Sequence, residues 1–255
     1  MKKITFLTTI LVVFTAFTFV SCEVESIDPA LSANGTNNNG GNTGGGNTGG
    51  GNNGGTPSGD YWPTAINNTW KYAVNSETQN VKVIGTDIFN GATYYKFSAL
   101  SGASGGTTGT AAATWLHKSG GVYTLKTGDM QINMMGMIGT QTGYEMVLLK
   151  DNLPVNATWS GTYTQTTTYT GIPTGMVTTT NYTGEILEKN ATITVNGVTY
   201  TDVIKMNLQQ QITMTGGFSI TNTEYYFAKN IGPVRITMYA GSGISQSNLV
   251  NYTLH

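Results

Sequence analysis

The side chains of this 255-residue chain that could act on another molecule are few. His117 and His255 are its only imidazoles, and the stretch from Asp60 to His255 holds ten carboxylates. A general base needs a nucleophile and an orienting carboxylate within hydrogen-bond reach. No spacing in the chain sets up that arrangement around His117, which sits in a strand-like run beside Trp115 and reads as structural. Zinc-type spacing of histidines and carboxylates is missing too, so no metal or other cofactor is expected. A glycosidase would need two carboxylates about 5–9.5 Å apart. Glu185 and Glu188, three residues apart in a strand, face opposite ways. The expectation is a protein that is not an enzyme.

Softer chemistry gathers at Met130, Met134, Met135 and Met137, with Met146 following. Thioethers suit Cu(I), but unbranched Met also fills irregular apolar surfaces and greasy pockets. Gly136 and Gly139 among them fit a hairpin or flap better than a rigid metal cage. Met134, Met135 and Met137 are therefore candidate contacts for a hydrophobic small molecule. A different ligand class is raised by Tyr163 and Tyr169, which an even spacing puts on one strand face, with Tyr182 across from them. Tyrosines beside Thr, Asn and Gln can stack on sugar rings, so these three are candidate glycan contacts. Cross-strand Tyr–Thr pairs also stabilise a sheet with no ligand at all.

The elements that must position these side chains are strands. Between Asp60 and His255 lie 35 threonines, ten acids and ten Lys or Arg. That balance leaves no basic face for nucleic acid. Val234, Ile236 and Met238 alternate with Arg235, Thr237 and Tyr239, and Ile204, Met206 and Leu208 alternate with Lys205 and Asn207. A period of two marks strands buried on one face. Asn90-Gly91 and Asn196-Gly197, each between such runs, are hairpin turns.

The runs also recur. Asn67-Asn68-Thr69-Trp70 returns as Asn156-Ala157-Thr158-Trp159, Asn90-Gly91-Ala92-Thr93-Tyr94 as Asn196-Gly197-Val198-Thr199-Tyr200, and Trp115 to Gly121 as Tyr226 to Gly232. The second copy carries an inserted hairpin over 162–183 that turns at 171–175. Residues 60–255 are thus expected to form one all-β antiparallel domain of two similar halves, about 60–150 and 151–255. The sheet is curved, a half-open barrel, with a closed barrel or a sandwich as alternatives. Trp70, Trp115 and Trp159 read as core anchors, and Trp62, at the border of the domain, as more exposed.

Ahead of the domain, residues 32–59 are almost wholly Gly, Asn, Thr and Ser, a composition that forms a disordered linker. Met1-Lys2-Lys3 opens the chain, and a charge-free apolar stretch from Ile4 leads to Phe19-Val20-Ser21-Cys22. Cys22 is the single cysteine and has no intramolecular disulfide partner. This arrangement resembles the lipobox of bacterial lipoproteins. The resemblance implies a signal peptide over 1–21, cleavage before Cys22, and acylation of its thiol with palmitate-type chains that hold the protein on a membrane. Residues 22–31 then form an acidic leader with Glu23, Glu25 and Asp28. In Bacteroidetes-type lipoproteins, acids at these positions resemble the signal for export through the outer membrane to the cell exterior.

Within the domain, Tyr61-Trp62-Pro63 leading to Asn68-Thr69-Trp70-Lys71-Tyr72, and Tyr225-Tyr226-Phe227-Ala228-Lys229-Asn230-Ile231-Gly232-Pro233-Val234 near the end, resemble an uncharacterised group of Bacteroidetes-type outer-membrane lipoproteins. Such lipoproteins open on a Pro…Asn-x-Trp-x-Tyr strand and close on an aromatic-Ala-Lys-x-x-Gly-x-Val strand. The resemblance implies kinship with curved, half-open barrels that hold acyl chains against a concave sheet. Those carriers cover the concave face with helices, and no stretch here has a helical period. The functional expectation is a lipid-anchored envelope lipoprotein with a binding or structural role, holding an apolar ligand; the alternative is a surface glycan-binding lipoprotein that assists polysaccharide capture.

Overall fold

The computed structural model describes residues 56–74, 77–98, 112–134, 137–172 and 174–255. Cys22, the leader, the linker to residue 55 and Met135 lie outside the described residues, as does the side chain of Met134. Asn52–His255 forms one compact unit that contains every described strand.

Among the described residues, fourteen strands follow one another without a helix between them. The first set is β1 (Thr69–Val74), β2 (Glu77–Phe89), β3 (Ala92–Phe97), β4 (Thr114–Ser119), β5 (Val122–Thr127), β6 (Met130–Met134), β7 (Met137–Gln141) and β8 (Glu145–Lys150). The second is β9 (Thr158–Tyr169), β10 (Met176–Val195), β11 (Val198–Met214), β12 (Gly217–Ala228), β13 (Gly232–Ala240) and β14 (Gly243–Thr253). All pair antiparallel into one sheet in the order β6-β7-β9-β10-β11-β12-β13-β14-β1-β2-β3-β4-β5-β8. The all-β antiparallel reading of the sequence holds, and of its alternatives the half-open barrel is the one formed: the sheet is not closed by a ladder.

The repeated sequence landmarks occupy equivalent places. Asn67 (φ 75°) donates its N–H to the Val83 carbonyl, and Val83 N–H returns to the Asn68 carbonyl, each at 2.9 Å. Asn156 (φ 66°) donates to the Ile186 carbonyl at 2.8 Å, and Ile186 N–H returns to the Ala157 carbonyl at 3.1 Å. Asn tolerates the left-handed region better than other side-chain-bearing residues, which explains the residue choice at both sites. Asn90-Gly91 (φ 50°, 81°) and Asn196-Gly197 (φ 49°, 80°) make two-residue turns of the primed type. The domain is therefore two six-strand meanders, β1-β2-β3-β4-β5-β8 and β9 to β14, laid side by side. The β6–β7 hairpin is an extension grown out of the β5–β8 hairpin and paired to β9.

Two seams join the meanders, and they differ. At one, β14 zips to β1 from Thr69↔Thr253 to Val74↔Ser247. At the other, β8 meets β9 through side chains. The Trp159 indole Nε1–H donates to the Val147 carbonyl at 3.0 Å, and Val147 N–H donates to the Tyr182 hydroxyl at 3.1 Å. Both rings reach the β8 edge by lying across a glycine on the neighbouring strand. Trp159 covers its partner Gly184, Tyr182 covers its partner Gly161, and a Cβ on either glycine would collide with the ring.

The core draws on both meanders, from β1, β2, β3, β4, β5 and β8 and from β9 to β14. Trp70, Phe97, Phe227, Leu116, Leu148, Leu149, Ile204 and Met206 are among its fully buried side chains. Trp62 belongs to it as well, 2% exposed and packed on Phe97 and Phe227 at ring-centre distances of 5.5 and 5.9 Å. The expectation of an exposed Trp62 is thereby corrected. The chain turns inward at Tyr61, and an indole beside two aromatic rings is more stable there than in water.

Candidate functional site

The sequence-derived candidates are scattered by burial but related by face. Paired residues in a ladder project to the same side of a sheet, so faces can be followed strand by strand. Leu208, wholly buried, pairs with Thr223, and Thr223 with Met238. Ile212 and Met214 continue the face of Leu208 along β11, and Ile212 pairs with Thr180, which pairs with Tyr163. Tyr163 shares its face with Thr167 and Tyr169; Thr167 pairs with Met176, and Tyr169 with Gly139, two residues from Met137. Met137, Met176, Met214 and Met238 therefore all stand on the core-bearing face of the sheet.

That face is packed only over part of its length. Met206 and Leu208 are fully buried, whereas Met137, Met176 and Met214 are 36%, 50% and 47% exposed and Met238 is half-buried. All four lie toward the end where the β6–β7, β9–β10, β11–β12 and β13–β14 hairpins turn. On the same face the hydroxyl-bearing Thr167, Thr180, Thr223 and Ser247 are each below 8% exposed, beside Tyr163, Ile212 and Ile236. None of the residues 130–144, 158–184, 206–223 or 236–254 is Asp, Glu, Lys or Arg. The concave face at this end is thus an uncharged mouth that bears thioethers and hydroxyls.

Met130 is buried with Ile132 and Tyr169 in a small cluster of its own, and Met146 is buried in the main core. The methionine stretch of the sequence is therefore split, and Met137 joins Met176, Met214 and Met238, which sequence reasoning did not single out. Met134 pairs with Met137 through the backbone. The tyrosines form no open platform. Tyr182 and Tyr169 are 7% and 9% exposed. Tyr163 stacks on Tyr144 at 4.2 Å with planes 9° apart, and its hydroxyl accepts from Gln210 Nε2 at 3.0 Å. Burial pushes the hydroxyls of Tyr144 and Tyr163 up, and that of the adjoining Tyr225 up to about 12, so the group stays neutral.

A second polar site stands at the opposite end, where the N-terminal segment joins the domain. Asp151 is fully buried. It accepts from Ser58 N–H at 3.2 Å and from the Tyr123 hydroxyl at 3.1 Å, and its carbonyl accepts from Lys189 Nζ at 2.7 Å. The Tyr123 oxygen in turn accepts from Tyr61 N–H at 2.9 Å. Asp60 pairs with Lys118 at 2.9 Å, and Lys118 Nζ also donates to the Trp62 carbonyl. A cavity of about 210 Å³ opens between Pro57, Asp60, Lys118, Tyr123 and Asp151. Burial raises the Asp151 carboxyl above its ordinary value, opposed by the bonds from Ser58 and Tyr123 and by Lys189. The arrangement fastens the chain where it leaves the linker. His117 lies apart from both sites: its Nδ1–H donates to the Thr93 carbonyl at 2.8 Å, and its ring stacks on Tyr94. Among the described residues, no three of His, Cys, Asp and Glu gather as a metal site.

No family model and no curated protein matches the chain. Among solved structures, the chain is similar to a protein from Parabacteroides distasonis ATCC 8503, provisionally named a lipoprotein. The TM-score is 0.47 and the identity 10%, over 76% of this chain and 99% of that one.

Proposed function

We propose that the protein is a lipid-anchored envelope lipoprotein whose β-domain holds an uncharged, apolar ligand in the mouth of its half-open barrel and performs no catalysis. The observation that carries the ligand is the continuation of the core face beyond the packed core, into Met137, Met176 and Met214 at 36–50% exposure and the half-buried Met238. Met side chains adapt to ligands of irregular shape, and burying thioether and methyl surface contributes roughly 25 cal/mol per Å². With no charge on this part of the face, an ionised ligand would find no partner, so a neutral one is preferred.

The anchor rests on separate support: the Ser21-Cys22 end of the apolar leader, the acidic residues Glu23, Glu25 and Asp28, and the resemblance of the strand motifs to outer-membrane lipoproteins. In this reading Cys22 carries the acyl chains and the domain faces the cell exterior. Two or three chains hold such a protein on a bilayer, since each buried CH₂ contributes about 0.8 kcal/mol. The glycan alternative loses its motive, because Tyr169 and Tyr182 are buried and Tyr163 is stacked.

The ligand is tested by native mass spectrometry on the protein taken from its own envelope and cut free within 32–59. An adduct of neutral-lipid mass is expected on the wild type and is expected to be lost in Met176→Gln combined with Met214→Gln. A bare wild-type domain sinks the ligand. The anchor is tested apart from it, by incorporation of labelled palmitate, expected for the wild type and absent in Cys22→Ser.

A further inference from the structure

The exposed apolar side chains of the domain are not spread evenly. Ile138, Ile172, Val177, Phe218, Ile220 and Ile244, between 44% and 68% exposed, belong to four hairpins that all turn at the same end of the sheet. Antiparallel pairing fixes this: Thr179 pairs with Thr213 near the β9–β10 and β11–β12 tips, Thr221 with Ala240 at the β13–β14 tip, and Thr170 N–H reaches the Ile138 carbonyl at the β6–β7 tip. The β1–β2 tip, which bears Glu77, stops four residues lower, at the level of Ser247.

By register, Phe218, Ile220 and Ile244 stand on the face opposite Met214 and Met238. The four tips therefore put apolar side chains on both sides of the mouth. Isolated exposed hydrophobics are ordinary, but a contiguous apolar patch marks a contact surface. A rim of separate tips has the shape to enter a soft layer, and no charge must be dehydrated for it to do so.

From these tips we infer that the distal rim of the barrel inserts into the interface of a neutral lipid bilayer. The chain outside the described structure supports that occupant. The 34 residues from Cys22 to Gly55 run back to the proposed acylation site and span at most about 3.3–3.6 Å each, roughly 120 Å in all. The strands are about 40 Å long along β12. The rim can therefore reach the surface that holds the anchor, or one facing it. Insertion would open the methionine mouth directly to the acyl region, so an apolar ligand could pass without crossing water. The inference rests on the lipid-anchor reading only for how the domain comes near a bilayer.

The test uses the unlipidated chain from Glu23 to His255, so rim insertion and Cys22 acylation fail separately. Vesicles of phosphatidylcholine alone are the probe. Co-flotation is expected, unchanged in 1 M salt and not improved by phosphatidylglycerol. Phe218→Ser combined with Ile244→Ser is expected to weaken partitioning on the order of tenfold or more, while Ile88→Ser, 73% exposed at the other end, leaves it unchanged. Phe218→Trp adds a gain-of-signal reading, in which indole emission shifts to the blue when vesicles are added. The inference is overturned by absent flotation, by binding that needs anionic lipid, by a Phe218→Trp emission that ignores vesicles, or by a dimer in solution that the rim substitutions dissociate.

Discussion

At the end where the linker joins, Asp60, Lys118, Asp151 and Lys189 tie the N-terminal segment to the β4–β5 hairpin, the end of β8 and strand β10. At the far end, the tips of four hairpins carry no charge and leave Phe218 and Ile244 about two-thirds exposed. Polar contacts with fixed partners cost conformational freedom and return a fixed geometry, which suits a junction that must hold when the chain is pulled. Unpartnered apolar tips return nothing until something arrives to cover them. The same sheet thus serves a fastened end and a contact end.

If this division is right, stability should be concentrated at the junction. Trp62→Ala removes an indole packed between Phe97 and Phe227 and should cost about 3–5 kcal/mol in urea unfolding. Phe218→Ser at the rim should stay within about 0.5 kcal/mol, as exposed substitutions do. Equal losses at the two sites would abolish the comparison. A finer version uses one oxygen atom. Tyr123→Phe leaves Tyr61 N–H without its acceptor and Asp151 with Ser58 N–H in place of two donors, and should cost about 1–3 kcal/mol. Tyr239→Phe, on an exposed tyrosine near the rim, should not shift the midpoint measurably.

The two ends were not equally legible. Strands, the Asn-Gly turns and the duplication follow from local signals, because a period of two and a positive φ are properties of a few adjacent residues. The methionine mouth needs register across six strands, and register here is altered by bulges: β10 shifts between Ile186 and Ile193, with Asn190 (φ 55°) on β10 and Asp202 (φ 52°) on its partner β11 in the left-handed region. No reading of residues 130–146 alone could join Met137 to Met176, Met214 and Met238. The junction was hidden for another reason. Ser58, Tyr123 and Asp151 are 28 to 93 positions apart, and each alone is a commonplace residue. One signal could have exposed it: Tyr61-Trp62 are the first aromatics after a long stretch with none, and aromatics at such a border pack the chain onto a core.

The smallest effect is the most diagnostic of how the junction works. Burial holds the Asp151 carboxyl above its ordinary value of 3.8. As pH rises, the unfolded chain gives up this proton first, so between the unfolded and the higher folded value the native state binds more protons than the unfolded one. Stability therefore falls with rising pH across that window and levels off above it. Asp151→Asn deletes the titration. The variant need not match the wild type at any one pH, since an amide offers one acceptor oxygen where the carboxylate offers two. What matters is the difference in unfolding midpoint, variant minus wild type, which should increase as pH is raised from the acid side through the window. A difference that decreases instead would mean that Lys189 and the two hydrogen bonds outweigh burial. The junction would then be held by an ionised carboxylate with a lowered pKa, fastening most tightly at neutral pH and loosening in acid.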